Sequence, residues 1–158
     1  MSRVIIQTEE FDIAGLYSDL RAQYGAEVGA VAMFVGLVRD HNAKAGSGET
    51  VSSLTLEHYP GMTEKSIERI IEEANSRWPL LDIWVIHRVG TMQPTEQIVA
   101  VLCASAHRDA AFAGAEFVMD YLKRDAVFWK KEVTGATSTW IESTQDDQQR
   151  LEKWQLKK

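Results

Sequence analysis

Four basic side chains crowd a Phe-Trp pair in the stretch DYLKRDAVFWKKE, Asp120 to Glu132, where Lys123, Arg124, Lys130 and Lys131 fall within nine residues. Clustered cations either bind an anion, such as a phosphate or a carboxylate, or simply solvate a face. Lys123 is placed to end a helix, where the dipole favours a cation without any ligand. Lys130 and Lys131 should alternate across a strand, so at most one of them points into a given pocket. Arg124 reads as a surface residue. A second cluster, SAHRD, joins the end of a strand-like run to the start of a helix. His107 and Arg108 there stand beside free backbone N–H groups and the positive end of a helix dipole, which makes either an anion site or a polar turn. Arg39, just after FVGLV and at the mouth of a loop, is a third candidate.

Other chemistries find little support. The four histidines, His41, His58, His87 and His107, are not spaced by three or four, so no two of them share one helix face as metal ligands. No phosphate-cradling glycine loop and no nucleophile elbow is present. Cys103, the single cysteine, excludes an internal disulfide and lies in the apolar run IVAVLCAS, where it reads as a buried strand thiol. No cofactor or metal is expected.

The bulk numbers sharpen the question. Against 17 Lys and Arg stand 23 Asp and Glu, a net charge of −6. Nucleic-acid binding needs a broad excess of cations, so any basic site here is local. The longest apolar run, VGAVAMFVGLV, has 11 residues, short of the roughly 20 that cross a membrane. The N-terminus carries no signal-peptide pattern, and a cytoplasmic setting is expected.

The elements that must position these residues follow from periodicity. RVIIQ and GAVAMFVG read as strands flanking a weak helix, DIAGLYSDLRAQ, capped by Asp12. The loop from Asp40 to Thr50 has no apolar period and enough glycine to act as a lid. VSSLTLEHY is a strand. PGMTEKSIERIIEEANSRW is a helix whose Ile67, Ile70, Ile71, Ala74 and Trp78 share one face, with Thr63 as its N-cap and Pro79 as its stop. Two strands follow, LLDIWVIHRVG and EQIVAVLCAS, joined by the turn TMQPT. The helix from Asp109 to Lys123 buries Ala111, Ala115, Val118, Met119 and Leu122. Its Gly114 costs about 1 kcal/mol relative to Ala, which asks for close approach of another backbone, from the sheet or from a second subunit. AVFWKKEVT and STWIES are strands, and a polar, helical tail begins at Gln145. The class is α+β, one domain over residues 1–144 with a tail over 145–158 and a mostly antiparallel sheet.

Five pieces in this order, FVGLVRDHN, LTLEHYPGMTEK, VIHRVG, SAHRDAAF and MDYLKRDAVFWKKE, strongly resemble the large, catalytic subunit of molybdopterin synthase over Val28 to Glu142. The resemblance implies an α/β hammerhead fold and a homodimer that forms a heterotetramer with two small ubiquitin-like sulfur-carrier subunits. The C-terminal Gly-Gly thiocarboxylate of each small subunit would donate sulfur to cyclic pyranopterin monophosphate, making the molybdopterin dithiolene. Carried over residue by residue, the substrate pocket falls on Leu37, Val38 and Arg39, on His107 and Arg108, on Lys123, and on Lys130, Lys131 and Glu132, with Phe34 and Met119 lining it. Lys131 stands where some members have Arg, keeping the charge but not the bidentate geometry.

On this reading Lys123 and Lys130 are catalytic. Lys123, desolvated beside Phe128-Trp129, acts as general base or forms a transient covalent link, and Lys130 binds and stabilises developing charge. The 16 residues from His107 to Lys123 span roughly 24 Å along a helix. One pterin therefore draws these two residues from different subunits. The competing expectations are a non-catalytic module docking an acidic partner or its carboxylate, and a transferase or hydrolase acting on another phosphorylated heterocycle.

Overall fold

The computed structural model describes residues 2–40, 51–126, 128–134, 137–141 and 145–155, with the side chains of 51, 52, 131–134, 137–141 and 145–148 left aside. All of the expected lid beyond Asp40, and with it His41, lies outside the described residues.

Strand β1 (Ser2–Gln7) leads to α1 (Ile13–Tyr24), a short turn of 3-10 helix and β2 (Ala30–Leu37). Then come β3 (Val51–His58), α2 (Met62–Arg77), β4 (Leu80–Arg88), β5 (Gly90–Met92), β6 (Gln97–Ser105), α3 (Arg108–Asp125), β7 (Phe128–Thr134), β8 (Thr137–Ile141) and α4 (Gln145–Gln155). The first sheet has the order β1-β4-β6-β2 and the second β5-β3-β7-β8. β1 and β4 run parallel, and the other described pairs are antiparallel. The α+β single domain expected from the sequence is what the chain forms.

β4 shows why the first sheet is the stable one. Its alternate residues Ile83 and Val85 enter the main core under α2 and α3, while Trp84 and Ile86 enter a second core under α1. A strand buried on both faces reads as a continuous apolar run, which is how it looks in sequence. Each such side chain contributes about 2 kcal/mol by burial. The one acid in the run, Asp82, is 1% exposed and fully partnered. It accepts from the Tyr24 hydroxyl at 2.5 Å, the Trp84 indole N–H at 2.9 Å and the Ile83 amide at 2.9 Å. Burial and this acid push the Tyr24 hydroxyl up to about 12.

Asp12 caps α1 as expected, its Oδ1 accepting from the Ala14 amide at 3.1 Å. The start of α2 differs. Gly61, not Thr63, is the N-cap, and Glu64 accepts from the Gly61 amide at 2.6 Å. Thr63 is buried inside the helix, and its hydroxyl accepts from the Tyr59 amide at 3.0 Å. Gly114 also differs. A Cβ there would stand 2.7 Å from Cys103 Sγ and 3.0 Å from Leu80 Cδ1. The close approach is made by the chain's own sheet, one of the two expected neighbours, but by its side chains rather than its backbone. Cys103 is buried as expected, and desolvation raises its thiol pKa to about 12.

The C-terminal segment is helical, and its apolar side is seated. Leu151 and Trp154 join the main core, where Trp154 meets Trp78 and Phe117 edge-on at 5.5 Å. The Trp154 indole donates to the buried Asp120 carboxylate at 2.7 Å, and Lys153 pairs with Glu116 and Asp120. Asp120 lies one turn before Lys123, so α4 fixes the C-terminal part of α3.

Candidate functional site

Topology divides the candidate residues between two ends of the first sheet. β6 runs antiparallel to both β4 and β2, with His87 and Gly36 each opposite Val99. The C-terminal ends of β2 and β4 therefore meet the start of β6. α3 follows β6 and runs back over the sheet, so its C-terminus, with Lys123, arrives at that same end. Arg39 leaves β2 there as well. Its side chain is exposed, and the turn before it is held by the Val38 amide donating to Glu96 O at 2.9 Å and the Thr95 amide to Val38 O at 2.8 Å.

His107 and Arg108 sit at the opposite end, where β6 closes and α3 begins, and both are exposed. Gly29 shapes this corner. Its amide donates to Ser105 O at 3.0 Å, and a Cβ on it would stand 1.9 Å from Ala106 O. Any side chain there would push the start of β2 off the turn that presents His107. The His107 amide in turn approaches Ser105 Oγ at 3.4 Å.

Two expected site positions differ in exposure. Leu37 is 52% exposed, whereas Val38 is buried with Leu54, Leu56, Val89 and Met92 in the small core of the second sheet. Phe34 lies on the same face of β2 as Ala32, which packs in the main core, but at the free edge of the sheet, and is 43% exposed. Met119 packs against the main core.

The Phe-Trp pair is split by the strand. In β7, Phe128 pairs with His58 and Lys130 with Leu56, which places Lys130 on the inner face with Leu54 and Leu56. Trp129 points the other way, 51% exposed and edge-on to Tyr59 at 6.2 Å. Lys123 is itself exposed, so within one chain the pair does not desolvate it. Lys131 pairs with Thr55 and Glu132 with Leu54 in register, and their side chains are outside the described set.

β7 is met by a group that the sequence offers only as a metal candidate. His87 stacks on Phe128 with ring centroids 4.0 Å apart and planes at 25°. Its Nδ1 donates to Arg88 O at 2.9 Å. Burial pulls its pKa down to about 4, against the Arg88 carbonyl and with help from the Lys123 charge. Arg88, 5% exposed, donates from Nε and Nη2 to Thr8 O at 3.1 and 2.9 Å and from Nη1 to Gln97 O at 3.0 Å. It also stands 3.7 Å from both Glu10 and Glu96. A His-Arg pair closing an apolar strand was the available signal for both. Among the described residues no three His, Cys, Asp or Glu gather as metal ligands.

The fold thus carries Arg39 and Lys123 to one end of the first sheet and His107-Arg108 to the other, with Lys130 on the adjoining strand β7. The model of the MoaE protein family matches residues 6–125. The molybdopterin synthase catalytic subunit of Vibrio cholerae is 52% identical over 153 residues, 97% of this chain and 98% of that one. Its counterpart in Pseudomonas aeruginosa is 48% identical over 150 residues, 95% of this chain and 97% of that one. Among solved structures, a molybdopterin biosynthesis MoaE protein from Burkholderia ambifaria superposes with a TM-score of 0.82 at 45% identity, covering 98% of this chain and 99% of that one. Molybdopterin synthase from Staphylococcus aureus gives 0.77 at 28% identity, covering 87% and 95%.

Proposed function

The chain belongs to the MoaE protein family, and we propose that it is the catalytic subunit of molybdopterin synthase, working in the cytoplasm. It passes two sulfurs from the thiocarboxylate tail of a small ubiquitin-like subunit to cyclic pyranopterin monophosphate. Near-full-length identity to subunits of that name carries the reading. No helix of the described residues is long and apolar enough to cross a membrane, which fits a biosynthetic enzyme.

The cations take roles their chemistry suits. Arg39 offers a fork to the substrate phosphate, while Lys130 acts as a point charge. Lys123 stands at the reacting carbons as base or as transient nucleophile, and Lys130 stabilises the charge that builds as the thiocarboxylate carbonyl reacts. Leu37, Phe34 and Met119 shape the pocket, and Val38 holds the strand end beneath it from the small core.

α3 is one unbroken helix of 18 residues with His107 at one end and Lys123 near the other. Each pocket therefore takes Lys123 and Lys130 from one copy and His107-Arg108 from its dimer mate. Exposed Met33, Phe34 and Leu37 along the free edge of β2, with Phe112 66% exposed on α3, support a second copy covering this side.

Single-turnover synthesis tests the function. Thiocarboxylated small subunit and cyclic pyranopterin monophosphate are mixed with wild type and with Lys123→Ala. Wild type is expected to form molybdopterin. The variant should lose at least about a hundredfold in rate while still binding the small subunit. Product from neither protein overturns the reading and leaves the cations as a docking surface.

A further inference from the structure

We infer that His87 is a positioning residue for the two lysines: its ring, stacked on Phe128, sets β7 against the end of α3 and so fixes Lys130 relative to Lys123. The inference rests on the sulfur-transfer reading of the site.

Lys123 and Lys130 belong to different parts of the molecule. Lys123 rides on α3, packed on the first sheet, and Lys130 rides on β7 in the second sheet. Phe128 lies three residues beyond the end of α3, packs against both the main core and the small core of the second sheet, and donates its amide to Ala126 O at 3.0 Å. It is the point at which the helix layer passes into the second sheet. Any rotation of β7 about that point moves Lys130, two residues on and on the same face, relative to Lys123. A misplacement of an ångström between reacting groups is enough to cost a large part of a catalytic rate.

The ring that meets Phe128 is held from behind. A backbone carbonyl only accepts, so the His87 Nδ1 bonded to Arg88 O carries the proton. That carbonyl belongs to the residue whose guanidinium ties the end of β4 to Thr8 and Gln97. The stack is thus anchored to three chain segments that do not share the second sheet. The depressed pKa fits this role, because a neutral ring stacks without adding a further cation near Lys123. Phenylalanine at position 87 would keep the stack and lose the Nδ1 bond, whereas alanine would lose both.

Three proteins test this, wild type, His87→Phe and His87→Ala, each assayed in complex with thiocarboxylated small subunit at a temperature where circular dichroism shows it fully folded. Expected is at least a tenfold fall in the single-turnover rate constant for His87→Ala, with half-saturating pterin within twofold of wild type. His87→Phe should recover to within fivefold of wild type. A His87→Ala rate within twofold of wild type overturns the inference, as does a His87→Phe rate as low as that of His87→Ala. A second readout needs no turnover: acetylation of Lys123 by an N-hydroxysuccinimide ester, followed by mass spectrometry and normalised to exposed Lys65. The ratio should change at least threefold in His87→Ala and stay near wild type in His87→Phe, and equal ratios in all three proteins overturn the inference. If wild type makes no molybdopterin, the sulfur-transfer reading fails and the acetylation ratio alone decides the role of His87.

Discussion

The two sheets are built for opposite ends. The first is covered on both faces, and its central strands are almost wholly buried, down to an acid whose described hydrogen bonds come from one tyrosine, one tryptophan and one amide. The second has a small core of Val38, Leu54, Leu56, Val89 and Met92, and its strand β7 carries the basic residues that make the protein interesting. A cation that must take up a phosphate cannot spend its charge in the core, because a buried ion pair has already lost its water and found its partner. Stability therefore accumulates in the first sheet, and the cations proposed to react stand at the rim between the two. The joint is where they meet, and Arg88, His87 and Phe128 occupy it.

If that division holds, damage to the first sheet should unfold the protein without changing the chemistry of molecules that remain folded. Asp82→Ala strands the buried Trp84 indole N–H and removes the acceptor of the partly exposed Tyr24 hydroxyl, on the other face of β4 from His87. It should cost about 3 kcal/mol, read as a melting temperature about 10 °C lower. Single-turnover rates well below that temperature should match wild type, and a rate loss there would break the division.

The joint should show itself in the acid limb of stability. His87 has a folded pKa of about 4 against an ordinary 6.5. Between these values the unfolded chain binds more protons, so stability is lost as pH falls from 6.5 towards 4 and is fully present above. Allowing for its half-buried ring, this amounts to about 2 kcal/mol. Urea titrations of wild type and His87→Phe at pH 7 and pH 4.5 should show this part of the loss in wild type alone.

The smallest effect is expected at Gly114→Ala. The added methyl meets Cys103 Sγ at 2.7 Å, an overpacking that costs about 2 kcal/mol and is offset by about 1 kcal/mol of helix propensity. A melting temperature lower by a few degrees with unchanged turnover is the expected result. An increase would mean that α3 has slack against the first sheet.

The first sheet was legible because burial leaves a period. α2 could be read from Ile67, Ile70, Ile71 and Ala74, and β4 and β6 from their runs rich in apolar residues. β5 was not, since three residues in a turn-like segment carry no period and its pairing with Leu54 to Leu56 is decided elsewhere in the chain. Glu64 capping Gly61 was missed because Thr63 offered a more familiar side chain, which the fold buries instead. For the candidate site, residue type offered Arg39, His107, Arg108, Lys123 and Lys130 as cations, and the family resemblance grouped them. Which of them share an end of the sheet depends on α3 running back across it, a tertiary fact. The stack of His87 on Phe128 joins residues 41 positions apart, and nothing local announces such a contact.

The claim that carries the account is that one pocket is completed by two copies of the chain. Lys123→Ala and Arg108→Ala should each be nearly inactive alone. Mixed and allowed to exchange subunits, half the dimers become hybrids with one intact pocket of two, so about a quarter of wild-type activity should return. No recovery, with hybrid dimers verified by two different affinity tags, would place all the cations of one pocket in a single chain and contradict the account.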